Sequence, residues 1–333
     1  MKTLVTGATG FLGSAIVREL IKDEREVKVL VRNSADLQNV NGLEVELALG
    51  DLRDQSSLEK ALDGCDVLYH VAAHYSFWDK DKSIIYDINV GGTEKILKAA
   101  LKNSLDKVIY TSTVGCIGML PDGRPGNEAT PLDPVCLCND YKLSKFRAER
   151  LVSEFNSKIP VVIVNPSAPI GPRDIKPTPT GRIVLDFLRR KMPAYLETGL
   201  NLIHVKDCAR GHILAEHKGK PGDRYILGNK NMSLQEILMA LEKITGLKAP
   251  TIKIPYWLAY ASGWVNNIIS DLVTHSPPPA PLGAIKMAKY KMYFDPSKAI
   301  KELGLPQTPP ETALKEAVVW FQENGYIKKI LDF

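Results

Sequence analysis

Short runs of apolar residues alternate with amphipathic segments over the first half of the chain. The runs are rich in β-branched residues and predict strands at Lys2–Thr6, Glu26–Val31, Val45–Leu47, Val67–Val71, Lys107–Thr111 and Val161–Val164. Apolar positions three and four residues apart predict helices at Phe11–Lys22, Ser56–Leu62, Ile84–Leu101 and Tyr141–Asn156. Nearly continuous apolar strands that alternate with helices are typical of a parallel sheet covered on both faces. The pattern therefore predicts an α/β fold built on a doubly wound parallel sheet.

Beyond residue 165 the alternation weakens, and proline and glycine become frequent, as in Pro166–Pro172 and Pro277–Pro281. This change predicts a first domain over residues 1–165 and a smaller lobe over residues 166–333. We expect some elements of the second part to return to the first domain. Two segments match the capping box, in which a hydroxyl and a carboxylate bond backbone N–H groups reciprocally at a helix start: Ser233–Glu236 and Thr308–Glu311.

The first predicted strand leads through a glycine-rich turn into the first predicted helix. Glycine permits a tight turn and close backbone approach, and a helix N-terminus presents N–H groups that suit a pyrophosphate. The alternative is a glycine turn used only for helix–strand packing. The strand before the turn and the helix after it favour a dinucleotide. The predicted binding residues of this loop are Gly7, Thr9, Gly10, Phe11, Leu12 and Gly13.

Arg32 directly follows the second predicted strand. An NAD(H) site would place a carboxylate near this position for the ribose 2′-hydroxyl. A guanidinium instead holds a 2′-phosphate bidentately and stacks on adenine, so the sequence predicts NADP(H) in preference to NAD(H). An ordinary surface arginine is the alternative. Asp51 and Leu52 follow the third strand, where the carboxylate either accepts the adenine amino group or caps a helix; the strand-end position favours the cofactor.

Tyr141 and Lys145 are four residues apart and therefore share one face of a predicted helix. A phenol with a pKa near 10 is a poor acid–base group at neutral pH unless a nearby cation lowers that pKa. We expect Lys145 to do so together with a nicotinamide, although such pairs also occur on solvated helices. Thr113 adds a hydroxyl at the carboxyl end of the fifth strand, where open α/β sheets bind ligands. The three residues together predict a site for proton transfer.

Composition and charge argue against several other classes of protein. Hydrophobic residues make up 44% of the chain and charged residues 24%, as in ordinary globular proteins. The net charge of +5 is scattered rather than gathered in a stripe, which argues against a nucleic-acid partner. Five cysteines, an odd number, predict free thiols in a reducing cytoplasm. Cys136 and Cys138 lack a second pair of ligands, so we expect no metal site.

The most apolar stretch of the chain is Ile254–Ile269. No run reaches the roughly 18 apolar residues of a membrane-spanning helix, and the N-terminal run is too short for a signal peptide. Proline, glycine and asparagine interrupt Ile254–Ile269, which favours a helix or lid of the second lobe over a peripheral membrane contact. Its aromatic residues suit a pocket for a bulky hydrophobic ligand, although each by itself is more typical of a core: Tyr256, Trp257, Tyr260 and Trp264.

Together these motifs resemble the extended short-chain dehydrogenase/reductase family, also called the NAD-dependent epimerase/dehydratase family, over nearly the whole chain. The G-x-x-G-x-x-G spacing of the glycines is typical of that family. Within it, the chain is similar to the dihydroflavonol-4-reductase-like branch, and residues 164–182 resemble bacterial proteins labelled hopanoid-associated sugar epimerase. The matching segments are Thr6–Gly13, Gly50–Leu52, His70–Ala73, Asn89–Thr93, Thr111–Thr113, Tyr141–Lys145, Asn165–Ser167, His204–His212 and Phe294–Gly304.

The resemblance implies a Rossmann fold and a role for each matched residue. Tyr141 would be the general acid–base residue, Lys145 would tune it and hold the nicotinamide ribose, and Thr113 would hydrogen-bond the reacting oxygen. The resemblance also implies a small-molecule substrate. Members of the family often dimerise through the helix that carries Tyr141, so the resemblance is compatible with a homodimer. Four further residues belong to the implied cofactor site: Ala72 and Ala73 would line the cofactor, and Pro166 and Ser167 would pack near the nicotinamide.

Three functions compete on this scaffold. They are a reductase or dehydrogenase that consumes its cofactor, a nucleotide-sugar epimerase that restores it within each turnover, and a cofactor-binding regulatory or scaffold protein. Sugar dehydratases of the family have an Asp-Glu pair directly after the catalytic threonine, and Val114-Gly115 stands there instead. Arg32 and the Val-Asn-Pro-Ser segment ending at Ser167 favour a reductase. The intact set of Thr113, Tyr141 and Lys145 argues against a protein without catalysis.

Overall fold

The computed structural model describes residues 1–120, 122–276, 278 and 281–328. Parts of the predicted proline-rich stretch and the last five residues of the predicted lobe therefore lie outside the described residues.

The strands are β1 (Lys2–Thr6), β2 (Glu26–Val31), β3 (Glu46–Leu49), β4 (Val67–His70), β5 (Lys107–Thr111), β6 (Val161–Pro166), β7 (Ala168–Ile170), β8 (Tyr195–Leu196), β9 (Gly199–His204), β10 (Arg224–Leu227), β11 (Lys230–Ser233), β12 (Lys253–Ile254) and β13 (Lys291–Met292). The helices are α1 (Phe11–Lys22), α2 (Gln55–Leu62), α3 (Ser83–Tyr86), α4 (Thr93–Lys102), α5 (Asp140–Phe155), α6 (Pro179–Leu188), α7 (Val205–Lys218), α8 (Leu234–Thr245), α9 (Tyr256–Ile269), α10 (Leu282–Ala288) and α11 (Pro310–Glu323).

The main sheet confirms the predicted doubly wound architecture. In the described part of the chain it has seven strands in the order β10-β6-β5-β4-β1-β2-β3, and every neighbouring pair is parallel. The chain runs outward from β1 through β2 to β3, then returns to β4 and continues outward in the other direction. The order therefore reverses between β1 and β4. In such sheets the crevice at the carboxyl ends of these strands is where ligands bind.

Helices cover both faces of the sheet and bury its apolar side chains, except at the edge strand β3, where Leu47 and Leu49 are exposed. On one face α1 and α7 pack against each other, and Ile16 and Ile213 join the core beside Val5. The other face is covered by α2, α4 and α5, whose Leu58 and Ile96 are buried completely. Burial on both faces explains why the strands are apolar along their whole length rather than at alternate positions.

A second core lies beyond residue 166, where α6, α8 and α11 pack around β7 and β9. Strand β9 is the centre of a small sheet, pairing with β7, β11 and β13. Strand β10 and helix α7 also come from this half of the chain, yet β10 pairs with β6 and α7 packs on α1. The second half therefore supplies both a separate core and the edge of the main sheet.

The single helix predicted over Ile84–Leu101 is helical without a gap from residue 83 to residue 102, but its middle part is π-helical. Helix α3 ends at Tyr86, a π-helical turn spans Asp87–Gly92, and α4 begins at Thr93. The turn directs Asn89 inward, where its Oδ1 accepts the N–H of His74 at 2.7 Å and its Nδ2 donates to Ser144 Oγ at 2.9 Å. The π-helical turn therefore connects the segment after β4 to α5, the helix that carries Tyr141.

One of the two predicted capping boxes is confirmed and the other is wrong. Ser233 Oγ accepts the N–H of Glu236, and the Glu236 carboxylate accepts the N–H of Ser233. Thr308, in contrast, donates its N–H and its hydroxyl to the Asp207 carboxylate at 2.7 and 3.1 Å. The adjacent prolines shift the start of α11 to Pro310. The sequence pattern assigned the hydroxyl of Thr308 to a helix cap. In the structure this hydroxyl is bonded instead to the carboxylate of Asp207, 101 positions away.

The aromatic residues of α9 do not lie in a core, contrary to the sequence-based expectation. Trp257, Tyr260 and Trp264 are 69%, 39% and 55% exposed. Among the described residues, those of α9 also take no part in the cleft lined by Gly7 and Tyr141. No helix among the described residues has both the length and the apolar composition needed to span a bilayer.

Candidate active site

One cleft of about 840 Å³ opens at the carboxyl edge of the main sheet. All sixteen residues that the sequence predicts for the site line it, so the structure brings them together from six strand ends and two helices. They are Gly7, Thr9, Gly10, Phe11, Leu12, Gly13, Arg32, Asp51, Leu52, Ala72, Ala73, Thr113, Tyr141, Lys145, Pro166 and Ser167.

The glycine loop lies tightly between β1, β4 and α1. Gly7 has a φ of +70°, and a Cβ there would stand 2.7 Å from the backbone nitrogen of Ala72. A Cβ on Gly13 would stand 2.1 Å from the carbonyl oxygen of Gly7. Helix α1 begins without a capping side chain on Gly10 and without an acidic residue in its first turn. Its first N–H groups therefore face the cleft with no side-chain acceptor, which suits a pyrophosphate.

Arg32 and Asp51 lie side by side where β2 and β3 end. Arg32 is exposed, and its guanidinium has no hydrogen-bond or ion-pair partner among the described residues. Asp51 is bound by Arg53, with Nε to Oδ1 at 3.0 Å and Nη2 to Oδ2 at 2.9 Å. These bonds lower the pKa of Asp51 to about 2. Arg32 is thus an available cation, whereas the Asp51 carboxylate already has a partner.

The sequence reasoning missed Asp36, which lines the same end of the cleft four residues after Arg32. Its Oδ1 accepts the N–H of Gln38 at 3.1 Å, and its Oδ2 lies 3.9 Å from Lys176 Nζ. A carboxylate is therefore present near the end of β2, although not directly at the strand end. The signal in the sequence was its short spacing from Arg32.

Lys145 is buried between α5 and strand β5. Its Nζ donates to Tyr110 Oη at 2.9 Å and to the carbonyl oxygen of Thr111 at 2.8 Å, and it lies 4.4 Å from the centre of the Tyr110 ring. Burial lowers the pKa of this ammonium to about 8. The lysine is therefore held by β5 and remains charged at neutral pH.

Tyr141 lies one helical turn before Lys145, in an aromatic cluster at the mouth of the site. Its ring centre is 4.4 Å from that of Tyr75 and 6.2 Å from that of Phe77. Burial raises the pKa of Tyr141 well above 10, and the nearby hydroxyl of Thr113 acts in the opposite direction. The expectation that Lys145 and a bound nicotinamide together lower this pKa stays a prediction, since the protein's own groups that act on Tyr141 do not include Lys145. They keep Tyr141 as a neutral phenol, which is a proton donor.

A buried network fixes the segment that carries Thr113. Asn165 Nδ2 donates to the Thr113 carbonyl oxygen at 3.0 Å and to Glu149 Oε2 at 3.0 Å. Ser112 donates its hydroxyl to the same Glu149 oxygen, and Arg224 Nη1 donates to Oε1 at 3.1 Å. Sequence reasoning missed Glu149. The available signal was its position four residues after Lys145, on the helical face shared with Tyr141.

The opposite wall of the cleft comes from the ends of β4 and β6. Thr6 Oγ1 accepts the N–H groups of Val71 and Ala72, both at 3.1 Å, and so fixes the turn that carries Ala72. Ser167 Oγ is buried and has no hydrogen-bond partner among the described residues. An unpaired buried hydroxyl is costly unless a ligand bonds it, so its presence fits a polar group such as the nicotinamide amide.

The far wall of the cleft comes from residues 183–292 and carries no charged side chain among those described. Eight of its residues are apolar, and we call this set the apolar wall: Ile183, Leu200, Leu234, Ile237, Ala284, Met287, Ala288 and Met292. Thr198, Asn201 and Tyr290 add the polar groups of the same wall. The cleft therefore joins a loop suited to phosphates, a proton-donating centre and a largely apolar end.

Comparison with known proteins adds an independent finding. The family model described as the NAD dependent epimerase/dehydratase family matches residues 3–228. The chain is 47% identical to a putative dihydroflavonol 4-reductase of Synechocystis sp., over 97% of this chain and 95% of that protein. It is 34% identical to the sterol demethylase protein B of Methylococcus capsulatus, over 98% and 100%. The crystal structure of gox2253 has 42% identity and a TM-score of 0.87, covering 98% of this chain and 99% of that one.

Proposed function

The chain belongs to the NAD dependent epimerase/dehydratase family, and we propose that it is an NADP(H)-dependent oxidoreductase that reduces the carbonyl of a bulky hydrophobic substrate or oxidises the alcohol. The observation that carries this proposal is the apolar wall, which faces the same cleft as Tyr141. Apolar lining with a few polar groups is typical of a pocket for a hydrophobic small molecule. A nucleoside diphosphate would instead need cations, and residues 183–292 supply none among the described lining residues. Of the lysines that line other parts of the cleft, Lys176 lies beside Asp36 at the Arg32 end, and Lys142 Nζ donates to the carbonyl oxygen of Cys136.

The residues that would hold NADP(H) follow from the cleft. The first-turn N–H groups of α1 and the glycine loop would bind the pyrophosphate, and Arg32 would bind the 2′-phosphate. The Asp51 and Leu52 backbone turn would face the adenine, with Ala72 and Ala73 beside it. The unpaired hydroxyl of Ser167, next to Pro166, would bond the nicotinamide end.

The bound nicotinamide would supply the hydride, and the chain's own groups would handle the proton. Tyr141, a neutral phenol in this site, would donate its proton to the substrate oxygen as negative charge develops there. Thr113, which lines the same cleft, would hold the same oxygen in place. Tyr110 and Thr111 hold the ammonium of Lys145. Its positive charge would then stabilise the phenolate left on Tyr141.

The division of the chain is part of the same proposal. Residues 1–165 would form the dinucleotide-binding domain, and residues 166–333 a substrate lobe whose β10 and α7 return to the main sheet. The apolar wall comes entirely from the second part, while the glycine loop, Tyr141 and Lys145 come from the first. Cofactor binding and substrate choice would therefore be encoded by different halves of the chain.

A cofactor balance tests the proposal against the epimerase alternative. Purified protein is incubated with NADPH or NADH and with panels of apolar ketones and of nucleotide sugars. Absorbance loss and product configuration are followed together. We expect one NADPH to be oxidised for each ketone reduced, with NADPH preferred. Inversion of a nucleotide sugar without net cofactor consumption would assign the chain to the epimerases and overturn the proposal.

A further inference from the structure

Helix α9 and the π-helical turn Ser270–Thr274 that continues it are built with their apolar side outward. Small residues face the protein: Ala259 and Gly263 are buried and Ser270 is 3% exposed. An ordinary surface helix has the opposite arrangement. The outward side chains are exposed by 37–73%, and we call them the outer face: Trp257, Leu258, Tyr260, Trp264, Val265, Ile268, Ile269 and Leu272.

The outer face is continuous along the helix. Trp257, Trp264, Ile268 and Leu272 follow at steps of seven, four and four residues, so they form one stripe. Asp271 is the one charged residue between positions 254 and 274, and Trp78 Nε1 donates to its carboxylate at 2.7 Å. Large contiguous apolar patches on a protein surface mark sites of interaction with another molecule.

The chain segment that contains the outer face has more lysines than acidic residues. From residue 250 to 292 the chain has four lysines and one aspartate. Lys253 and Lys291 both pair with Glu197. Lys286 and Lys289 form no ion pair with any described residue, and they lie on and directly after α10, which packs against α9. Free positive charge is therefore adjacent to the apolar stripe.

We propose that the outer face binds the surface of a lipid bilayer that contains anionic lipids, with α9 lying in the plane of the interface. Tryptophan and tyrosine favour the boundary between hydrocarbon and headgroups, since their rings are apolar and carry one polar group. Exposed lysines beside an apolar helix face add attraction to anionic headgroups. A symmetric dimer through the same face would instead bring the unpaired lysines of two copies near each other.

Helix α10 connects this surface to the cleft. Its Ala284, Met287 and Ala288 line the cleft, while the same helix packs against α9. A bilayer that covers the outer face would therefore lie beside the apolar wall, where a hydrophobic molecule can pass from lipid into the protein. The surface proposal itself does not depend on the reductase assignment, because no described residue of α9 lines the cleft.

Vesicle flotation of the full chain tests the proposal. We expect the protein to float with vesicles of phosphatidylcholine and phosphatidylglycerol, to float less with phosphatidylcholine alone, and to lose binding as salt is added. The double variant Trp264→Lys with Leu272→Lys should reduce the floated fraction about tenfold or more. Met239→Lys, which changes a 48% exposed apolar residue of α8, is the matched control and should float like the unchanged chain.

Thermal unfolding followed by circular dichroism checks that the variants fold alike, because all three substituted side chains are exposed. The proposal is overturned if the chain remains unbound with both vesicle types, or if the double variant floats as well as Met239→Lys. It is also overturned if sedimentation shows a dimer that the double variant converts to monomer, since a second copy then occupies the face.

Discussion

Lys145 directs its ammonium at the phenol oxygen of Tyr110, 2.9 Å away, and not at the phenol of Tyr141. The lysine is therefore fixed to strand β5, while the phenol of Tyr141 lines the cleft. The two phenols have different environments: Tyr110 is buried completely, whereas Tyr141 keeps some exposed area. Lys145 and Tyr141 both belong to helix α5. Strand β5 therefore fixes the ammonium of Lys145, while the phenol of Tyr141 faces the cleft.

Replacing Tyr141 with phenylalanine should remove the proton donor and leave the rest of the site in place. We expect turnover to fall by about 10²- to 10⁴-fold, with little change in the dissociation constant of NADPH. Steady-state rates and cofactor fluorescence titration measure the two quantities. Tyr86→Phe is the control, because Tyr86 donates its hydroxyl to Asp140 at 2.7 Å, outside the described lining of the cleft. Retained turnover in Tyr141→Phe would contradict the assignment.

The rate of reduction should fall on the alkaline side of about pH 8. The pKa of Lys145 is lowered from 10.5 to about 8 by burial, so the folded protein loses this charge above that pH while the unfolded chain keeps it up to about 10.5. In that window the unfolded state binds more protons, so this lysine's contribution to stability rises with pH as its contribution to catalysis falls. A pH profile of kcat/KM, paired with melting temperatures, measures both. A rate that is constant to pH 10 would rule out a catalytic charge on Lys145.

Replacing Arg32 with alanine should weaken NADPH binding about tenfold or more while leaving NADH binding nearly unchanged. The reason is that a charge-assisted contact to a 2′-phosphate has no counterpart in NADH. Arg32→Lys, which keeps the charge and loses the planar fork, should fall between the two. Isothermal titration with both cofactors measures the effect. An equal loss for NADH and NADPH would mean that Arg32 contacts another part of the cofactor, and that Asp36 must be considered in its place.

The sequence is sufficient to bring the glycine loop and the strand-end residues to one cleft, because the signals there are local. The glycine loop lies between a strand and a helix that are adjacent in the chain. In a parallel sheet, residues that follow strands must meet at one edge, so Thr113, Asp51 and Ser167 could be placed from strand positions alone.

What the sequence could not predict depends on partners that are distant along the chain. Thr308 is bound by Asp207, and Glu149 is bound by Arg224, 75 positions away. The outward orientation of α9 is also a property of packing. Its inward side is set by small residues that show no strong periodic signal, so Trp257 and its neighbours looked like core residues.

Replacing Glu149 with alanine should destabilise the chain by about 2 kcal/mol, because it leaves the buried hydroxyl of Ser112 and the amide of Asn165 without their acceptor. The partial exposure of Arg224 keeps the effect below that of a fully buried ion pair. Catalysis should fall as well, since Asn165 also holds the carbonyl of Thr113. Urea unfolding and kcat measure the two effects.

Glu149→Gln and Glu154→Ala complete that experiment. The glutamine keeps one acceptor oxygen and should recover most of kcat, which separates positioning of Thr113 from a requirement for negative charge. Glu154 lies exposed on the same helix, so its replacement should change stability by no more than about 0.5 kcal/mol. If Glu149→Ala unfolded at the same urea concentration as Glu154→Ala, the buried network would not hold the site together. If stability fell and kcat did not, the network would support the fold without positioning Thr113.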